Sequence, residues 1–183
     1  MLFRSETGLA NINAIFHPPG MIMNAGWIEH TTGGFLFYAE GMTESVGNVV
    51  SAVDLERLAV AKALGVPATP FLDIFHAAGL TTAPARDSGS VAQACRESAP
   101  NRTIKSPPSL NHRYINEDVG FGLVAMSALG RIAGVPTPVI DAQVTLTAAA
   151  TGVDFWRTGL TQDRLGLTGI DRASLLERVE DGF

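Results

Sequence analysis

The chain has 183 residues, of which 46% are hydrophobic and 17% charged, and its formal net charge is −5 at pH 7. That length suits one domain, or one and a half, and we expect residues 1–183 to form one domain. The acidic balance without a basic stripe argues against nucleic acid as a partner. No uncharged apolar run reaches the roughly 18 residues of a membrane span, and the single cysteine excludes an internal disulfide, which fits the cytoplasm.

The chain begins with a predicted helix over residues 7–29, in which apolar residues recur at helical spacing. The sequence His17-Pro18-Pro19-Gly20 interrupts that pattern. Because a proline disfavours the α conformation in the residue before it, we expect the helix to bend or break at His17. Such a kink would present the His17 side chain, which a straight helix would hide.

A longer helix is predicted from Thr43 to about Leu64, and Gly65 and Pro67 mark its end. Valine and leucine residues at helical spacing are expected to form its buried side: Val46, Val49, Val50, Val53, Leu58 and Val60. The charged residues among them are expected to face water: Asp54, Glu56 and Arg57.

A shorter helix is predicted over residues 70–78, after which serine, threonine, proline and arginine dominate residues 79–108. One helical patch, residues 91–98, lies within that stretch. We expect the rest of it to be an irregular loop, and it is the best candidate for a loop that covers a substrate.

The chain is organised around residues 110–141, where charged side chains precede an apolar run that contains several glycines. This pattern predicts a buried helix whose first turn carries the charge, with Asn116 as its N-cap and Glu117 and Asp118 in that turn. Gly130 and Gly134 lie one turn apart, which allows another helix to approach closely on that face.

Further helices are predicted towards the C-terminus. One opens at Thr137 and ends near Gly152, and Thr161 and Asp171 are the predicted N-caps of two short ones. Strand patterns are almost absent, and the sequence contains no internal repeat. The predicted fold class is therefore all-α, a multi-helix domain.

Several ordered motifs stand out along the chain: NINAIFHPPGMIMNAGWIE, FYAEGMTESV, HRYINEDV, LGRIAGVPTPVID and TGVDFWRTGLTQDRLGLTG. Together they resemble the helical C-terminal domain of the octopine and nopaline dehydrogenases, the opine dehydrogenase family. The likeness covers nearly the whole chain and is weakest over residues 79–108.

The resemblance implies an oxidoreductase in which a Rossmann domain binds NAD(P)H and the helical domain contributes substrate contacts and catalytic residues. Such enzymes reductively condense a 2-oxo acid, often pyruvate, with the amino group of an amino acid. No G-x-G-x-x-G motif follows a strand in this sequence, so we expect the Rossmann domain to be absent from this chain. The expected partners are the two small-molecule substrates and that domain, in cis or in trans; a homodimer is a further candidate.

The resemblance also implies three site residues: His17 and Asp118 as catalytic residues, and Arg113 as a substrate-binding residue. Reduction of a C=O or C=N bond needs a proton donor, and a carboxylate behind a histidine would orient the ring and stabilise its charged form. A forked guanidinium suits the carboxylate of an oxo acid. No metal site is predicted, because the other histidines and Cys95 have no partner at ligand spacing.

Each of these residues also has a structural interpretation. His17 is compatible with a helix C-cap contact, Asp118 with a partner of the helix dipole, and Arg113 with an i, i+4 pair to Glu117. Arg113 and Asp118 would diverge by about 140° on one continuous helix, so they share a cleft only if Arg113 precedes the helix start. Gly120 stands where the family usually has proline, and it is expected to loosen the turn that carries Asp118.

The function that we expect is therefore the substrate-binding and catalytic domain of an NAD(P)H-dependent opine dehydrogenase-like enzyme. One alternative is another 2-oxo or 2-hydroxy acid dehydrogenase, but such relatives use a lysine in the site, and Lys62 and Lys105 lack a comparable setting. The other alternative is a non-catalytic domain for binding or assembly, which the missing cofactor domain favours and the retained site residues oppose.

Overall fold

The computed structural model describes residues 9–181, and the predicted start of the first helix at residue 7 lies outside them. The elements in chain order are α1 (Asn13–Ile22), α2 (Ala25–Thr31), α3 (Glu44–Ala63), α4 (Phe71–Ala77), α5 (Ala83–Asp87), α6 (Val91–Arg96), α7 (Arg113–Glu117), a π-helical turn (Asp118–Leu123), α8 (Val124–Ala133), α9 (Pro138–Thr151), α10 (Phe155–Thr158) and α11 (Arg172–Asp181). Within residues 9–181 the only strand-like pairing is an isolated bridge between Leu36 and Lys105. The predicted all-α fold is confirmed.

One hydrophobic core joins these helices, and α1 lies at its centre, in contact with α3, α7, the π-helical turn and α9. Eight of the ten residues of α1 are buried. None of the helices in residues 9–181 has both the length and the apolar character needed to cross a bilayer.

The first helix does not break at His17. Helix α1 runs through Pro18 and Pro19 to Ile22, and the predicted helix is interrupted at residues 11–12 and at Met23 and Asn24 instead. The two prolines lack the N–H groups that would bond to the carbonyls four residues earlier. Burial of the side chains on both sides of the prolines offsets that loss, and it leaves His17 only 3% exposed rather than presented by a kink.

Helix α3 confirms the predicted long helix. The Thr43 hydroxyl caps it by accepting a hydrogen bond from the backbone N–H of Val46 at 3.4 Å, and Gly65 follows its end with a φ of +67°. Four of the six residues predicted to form its buried side are fully buried: Val46, Val50, Val53 and Val60. Val49 and Leu58 are half-buried.

The charged residues of α3 do not face water as predicted. Arg57 is fully buried, and its guanidinium donates to Asp54 Oδ1 at 2.9 Å, to the Leu9 carbonyl at 2.6 Å and to the Thr69 carbonyl at 2.6 Å. The other Asp54 oxygen accepts from the backbone N–H of Phe71 at 2.8 Å. These charges tolerate burial because each is paired and hydrogen-bonded, and they tie α3 to the start of α4.

Glu56 of α3 is half-buried, and it caps a distant helix. Its two carboxylate oxygens accept from the backbone N–H groups of Val139 and Ile140 at 2.8 and 2.9 Å, at the first turn of α9. A carboxylate at this position satisfies unpaired N–H groups and opposes the positive end of the helix dipole.

Residues 79–108 are largely turns and coil as predicted, apart from the predicted helical patch and one short additional helix. They contain α5 and α6, and the Ser90 hydroxyl caps α6 by accepting from the backbone N–H of Gln93 at 3.1 Å. A Cβ on Gly47 of α3 would lie 3.0 Å from the backbone nitrogen of Ala92, so α6 packs closely on α3. The helical patch predicted over residues 91–98 is confirmed as α6.

The predictions for the glycines and helix caps of the C-terminal region are only partly confirmed. Gly130 allows close packing as predicted, since a Cβ there would lie 2.8 Å from Thr137 Cγ2, whereas Gly134 ends α8 with a φ of +71°. Helix α9 is confirmed, and Asp171 caps α11 through the N–H of Ser174 at 2.9 Å. The helix predicted at Thr161 is wrong: residues 161–170 form turns that include two glycines with positive φ.

Candidate active site

The site is built around His17, whose ring is held between aromatic side chains in the core. The Tyr114 ring stacks on it with centroids 3.5 Å apart and planes 12° apart, and the Phe16 and Phe37 rings lie 4.3 and 6.3 Å away. His17 is 3% exposed. The ring is therefore fixed in orientation by packing, independently of its hydrogen bonds.

Asp118 lies directly behind this ring, although the two residues are 101 positions apart in the chain. The Nδ1 atom of His17 is 2.7 Å from Asp118 Oδ2, and Asp118 is 8% exposed. A carboxylate only accepts hydrogen bonds, so Nδ1 carries the hydrogen, and in the neutral ring Nε2 holds the lone pair. The predicted pairing of His17 with Asp118 is present in the structure.

The helix that carries Asp118 begins earlier than predicted. Its N-cap is His112, whose Nδ1 accepts from the backbone N–H of Tyr114 at 3.3 Å, and the predicted N-cap, Asn116, lies inside α7 and donates to Asn111 Oδ1. A histidine was not recognised as a cap because the usual capping residues have shorter side chains. Asp118 therefore begins the π-helical turn rather than sitting in a first α-helical turn.

Glycines let this turn approach α1. A Cβ on Gly122 would overlap the Cβ of Ala14, which lies three residues before His17 on α1. The carbonyl of Gly120 accepts a hydrogen bond from the backbone N–H of Leu160 at 2.8 Å. Gly120 was expected to loosen the placement of Asp118, yet the turn is held on both sides and Asp118 reaches His17.

Arg113 is the first residue of α7, so the expectation that it precedes the helix start is wrong. Its side chain is exposed, and no ion pair joins it to Glu117 among the residues that the structure describes, which removes the i, i+4 interpretation. Its positive charge lies close enough to His17 to lower the pKa of that ring. The Arg113 Cζ lies 6.0 Å from the centroid of the Tyr114 ring, which stacks on His17, so the structure brings this exposed residue near the His17–Asp118 pair.

Burial is the main influence on the pKa of His17, and it lowers that pKa from its ordinary value because the charged ring is poorly solvated. The hydrogen bond and charge of Asp118 oppose this and raise the pKa, while Arg113 and His112 lower it further. The neutral ring is therefore favoured in the isolated domain, with Asp118 positioned to stabilise the charged ring when it forms.

Sequence reasoning missed Tyr38. Its hydroxyl lies 3.3 Å from His17 Nε2, and the residue is 5% exposed. Burial and the neighbouring Tyr114 hydroxyl raise the pKa of Tyr38, so the phenol keeps its proton across the neutral range. Nothing in the local sequence FLFY distinguishes this tyrosine from its apolar neighbours, because its partner lies 21 residues away.

The Gly120-Phe121-Gly122 sequence does not form a phosphate cradle. The two glycines of Gly120-Phe121-Gly122 are used for packing, with Gly122 against Ala14 and Gly120 near the Phe155 ring, so no phosphate cradle remains between them. Within residues 9–181 there is also no group of three or more histidine, cysteine or acidic side chains that could hold a metal ion.

The family model and the relatives that match this chain agree on one family. The model of a family described as NAD/NADP octopine/nopaline dehydrogenase, alpha-helical domain, matches residues 5–151. The opine dehydrogenase of Arthrobacter sp. (strain 1C) is 38% identical over 175 residues, which cover 96% of this chain and 47% of that protein. Protein ocs of Agrobacterium tumefaciens (strain Ach5) is 27% identical over 175 residues, covering 94% and 47%. The chain thus spans about half the length of the curated relatives it matches.

The fold is similar to solved structures of octopine dehydrogenase. The complex with NADH and L-arginine superposes with a TM-score of 0.66 at 18% identity, over 90% of this chain and 47% of that one. The complex with NADH and pyruvate gives a TM-score of 0.61 at 19% identity, over 90% and 46%. At these identities the likeness concerns the fold alone.

We predict that Gly122→Ala weakens the packing of the π-helical turn on α1. The added methyl group meets Ala14, and overpacking of this kind costs about 1–3 kcal/mol of the free energy of unfolding. Urea unfolding of the chain measures this loss. The matched control is Gly26→Ala in α2, where no atom lies within 4 Å of the added Cβ, so stability should hold or rise by less than about 1 kcal/mol. Equal stabilities for the two variants would contradict the close approach.

Proposed function

The chain belongs to the NAD/NADP octopine/nopaline dehydrogenase family, whose alpha-helical domain it matches, and we propose that it is the substrate-binding and catalytic domain of an opine dehydrogenase-like oxidoreductase. The proposed reaction joins a 2-oxo acid such as pyruvate to the amino group of an amino acid and reduces the product. The observation that carries this proposal is the buried hydrogen bond between His17 and Asp118.

The cofactor in this proposal is NAD(P)H, bound by a Rossmann domain outside this chain, in cis or in trans. Two facts support that division. The chain covers 47% of its Arthrobacter relative, and the two glycines of Gly120-Phe121-Gly122 are used for packing rather than left open to a phosphate. The nicotinamide would supply the hydride, so the residues of this chain are needed for binding, orientation and proton transfer.

His17 is the proposed proton donor. When the oxo acid condenses with the amine, its carbonyl oxygen leaves as water and takes up two protons. The attacking amine nitrogen supplies one, and the charged ring of His17 can donate the other from Nε2, which leaves an iminium to accept the hydride. Asp118 holds Nδ1–H at 2.7 Å, so it fixes the tautomer and stabilises the charged ring before the transfer. The aromatic stack with Tyr114 keeps the ring from turning away.

Arg113 is the proposed site for the carboxylate of the oxo acid. Arg113 is exposed, and its Cζ lies 6.0 Å from the centroid of the Tyr114 ring that stacks on His17. It has no carboxylate partner among the described residues, so its fork of N–H donors is available to an anion. An anion bound there would also offset the positive charge that now lowers the pKa of His17, which makes the ring easier to protonate when substrate is present.

We predict that the chain, joined to the Rossmann domain of its own gene neighbourhood or of a close relative, oxidises NADH in the presence of pyruvate and an amino acid. A loss of NADH absorbance that requires both substrates and both domains is the expected result. His17→Gln should then lower kcat by roughly 10²–10⁴, the contribution of a positioned acid.

The matched control is His30→Gln, a change at an exposed histidine, which should leave kcat unaltered. Two results would contradict the proposal: no turnover by an assembled enzyme that binds NADH, or turnover that is indifferent to His17→Gln.

We also predict that Arg113→Lys in the assembled enzyme raises KM for the oxo acid far more than KM for the amino acid. A bidentate contact becomes a point charge, at a cost of about 1.5–3 kcal/mol, or roughly 10- to 150-fold in KM. Arg102→Lys, at another exposed arginine, is the control. An equal rise for both substrates, or none, would show that Arg113 does not bind the oxo acid.

A further inference from the structure

Tyr38 lies in the segment between α2 and α3, and its hydroxyl is directed at the one nitrogen of His17 that Asp118 leaves free. The distance from the hydroxyl to Nε2 is 3.3 Å, and the Tyr38 ring packs against Phe16 and Phe37 with centroids 5.8 and 5.2 Å away. With 5% of the residue exposed, this hydroxyl needs a partner inside the protein.

The hydrogen bond at Nδ1 of His17 determines which group donates at Nε2. Nδ1 donates to Asp118, so in the neutral ring Nε2 has a lone pair and no hydrogen. Tyr38 must then be the donor. When Nε2 carries a proton, the hydroxyl has to turn and accept instead, and a phenol oxygen accepts more weakly than a phenol O–H donates.

Five polar or charged groups face His17 from the elements packed around it: Asp118, Arg113, His112, Tyr114 and Tyr38. Asp118 favours the charged ring, whereas Arg113 and His112 favour the neutral ring. The Tyr114 ring stacks on the imidazole face rather than bonding to a ring nitrogen. Tyr38 is therefore the one partner of Nε2 among the described residues.

We propose that Tyr38 is a positioning residue for His17: its buried hydroxyl donates to Nε2 and stabilises the neutral imidazole that remains after proton transfer. This rests on the proposed function, in which His17 gives up a proton. Asp118 and Tyr38 then act in opposite senses on the two nitrogens of one ring. Asp118 stabilises the ring before transfer, and Tyr38 stabilises it afterwards.

The test is nitrogen NMR on the chain labelled with ¹⁵N-histidine. The chain has four histidines, and the resonances of His17 are identified by their loss in His17→Gln. In Tyr38→Phe the neutral ring loses its donor, so at fixed pH the ratio of charged to neutral His17 should rise about 2- to 12-fold, equivalent to one ordinary hydrogen bond. Tyr114→Phe retains the ring that stacks on His17 and removes a hydroxyl that neighbours Tyr38 rather than Nε2, so it should shift that ratio less than Tyr38→Phe does.

A second measurement does not depend on the stability of Tyr38→Phe. Tyr38 and Tyr114 are the two tyrosines of the chain, so growth of Tyr114→Phe on 3-fluorotyrosine places a more acidic phenol at position 38 alone. Compared with Tyr114→Phe grown on ordinary tyrosine, the stronger donor should lower the ratio of charged to neutral His17. Tyr38→Phe should raise that ratio.

Opposite shifts in these two proteins support the proposal. An unmoved ratio, a fall in Tyr38→Phe, a rise with fluorotyrosine, or an equal shift in Tyr114→Phe would overturn it. Failure of the proposed function has a different signature, because the NMR shifts would persist while NADH turnover by the assembled enzyme stayed indifferent to His17→Gln.

Discussion

The hydrogen bond between His17 and Asp118 is the contact on which the candidate site depends. It joins α1 to the π-helical turn, and it requires those two elements to approach so closely that Gly122 has no room for a Cβ beside Ala14. A buried histidine and a buried carboxylate would each be costly alone, and each makes the burial of the other tolerable. The pair, the stacked Tyr114 ring and Tyr38 therefore form one packed unit rather than separate contacts.

The fold supplies this unit with a rigid support. Helix α3 runs along the core, and its charged residues hold other elements in place: Arg57 and Asp54 bind the backbone at Leu9, Thr69 and Phe71. Charged residues that the sequence pattern places on a solvent-exposed face of α3 are thus buried and hold backbone segments of other elements in place. A site that transfers a proton gains from such support, because its groups must keep their geometry to within a fraction of an ångström.

The distant pairing of His17 with Asp118 was implied by the family resemblance, whereas the features that the residue pattern alone predicted are those decided by near neighbours. The Thr43 cap of α3 and the Asp171 cap of α11 depend on residues three positions away, and both are confirmed. Distant packing decided the others: burial carries α1 through Pro18, and Arg57 is buried because backbone carbonyls elsewhere accept its protons. The partnership of His17 with Tyr38 follows the same rule, since no local pattern links them.

The central claim is that His17 and Asp118 act as one unit in proton transfer, and a double-mutant cycle on kcat of the assembled enzyme tests it most directly. The cycle compares His17→Gln, Asp118→Asn and the double variant. If Asp118 acts only by orienting the imidazole and stabilising its charged form, Asp118→Asn should change kcat little once the imidazole is removed. The double variant should then have about the same kcat as His17→Gln. Losses that multiply, each variant retaining its full effect in the presence of the other, would contradict the account.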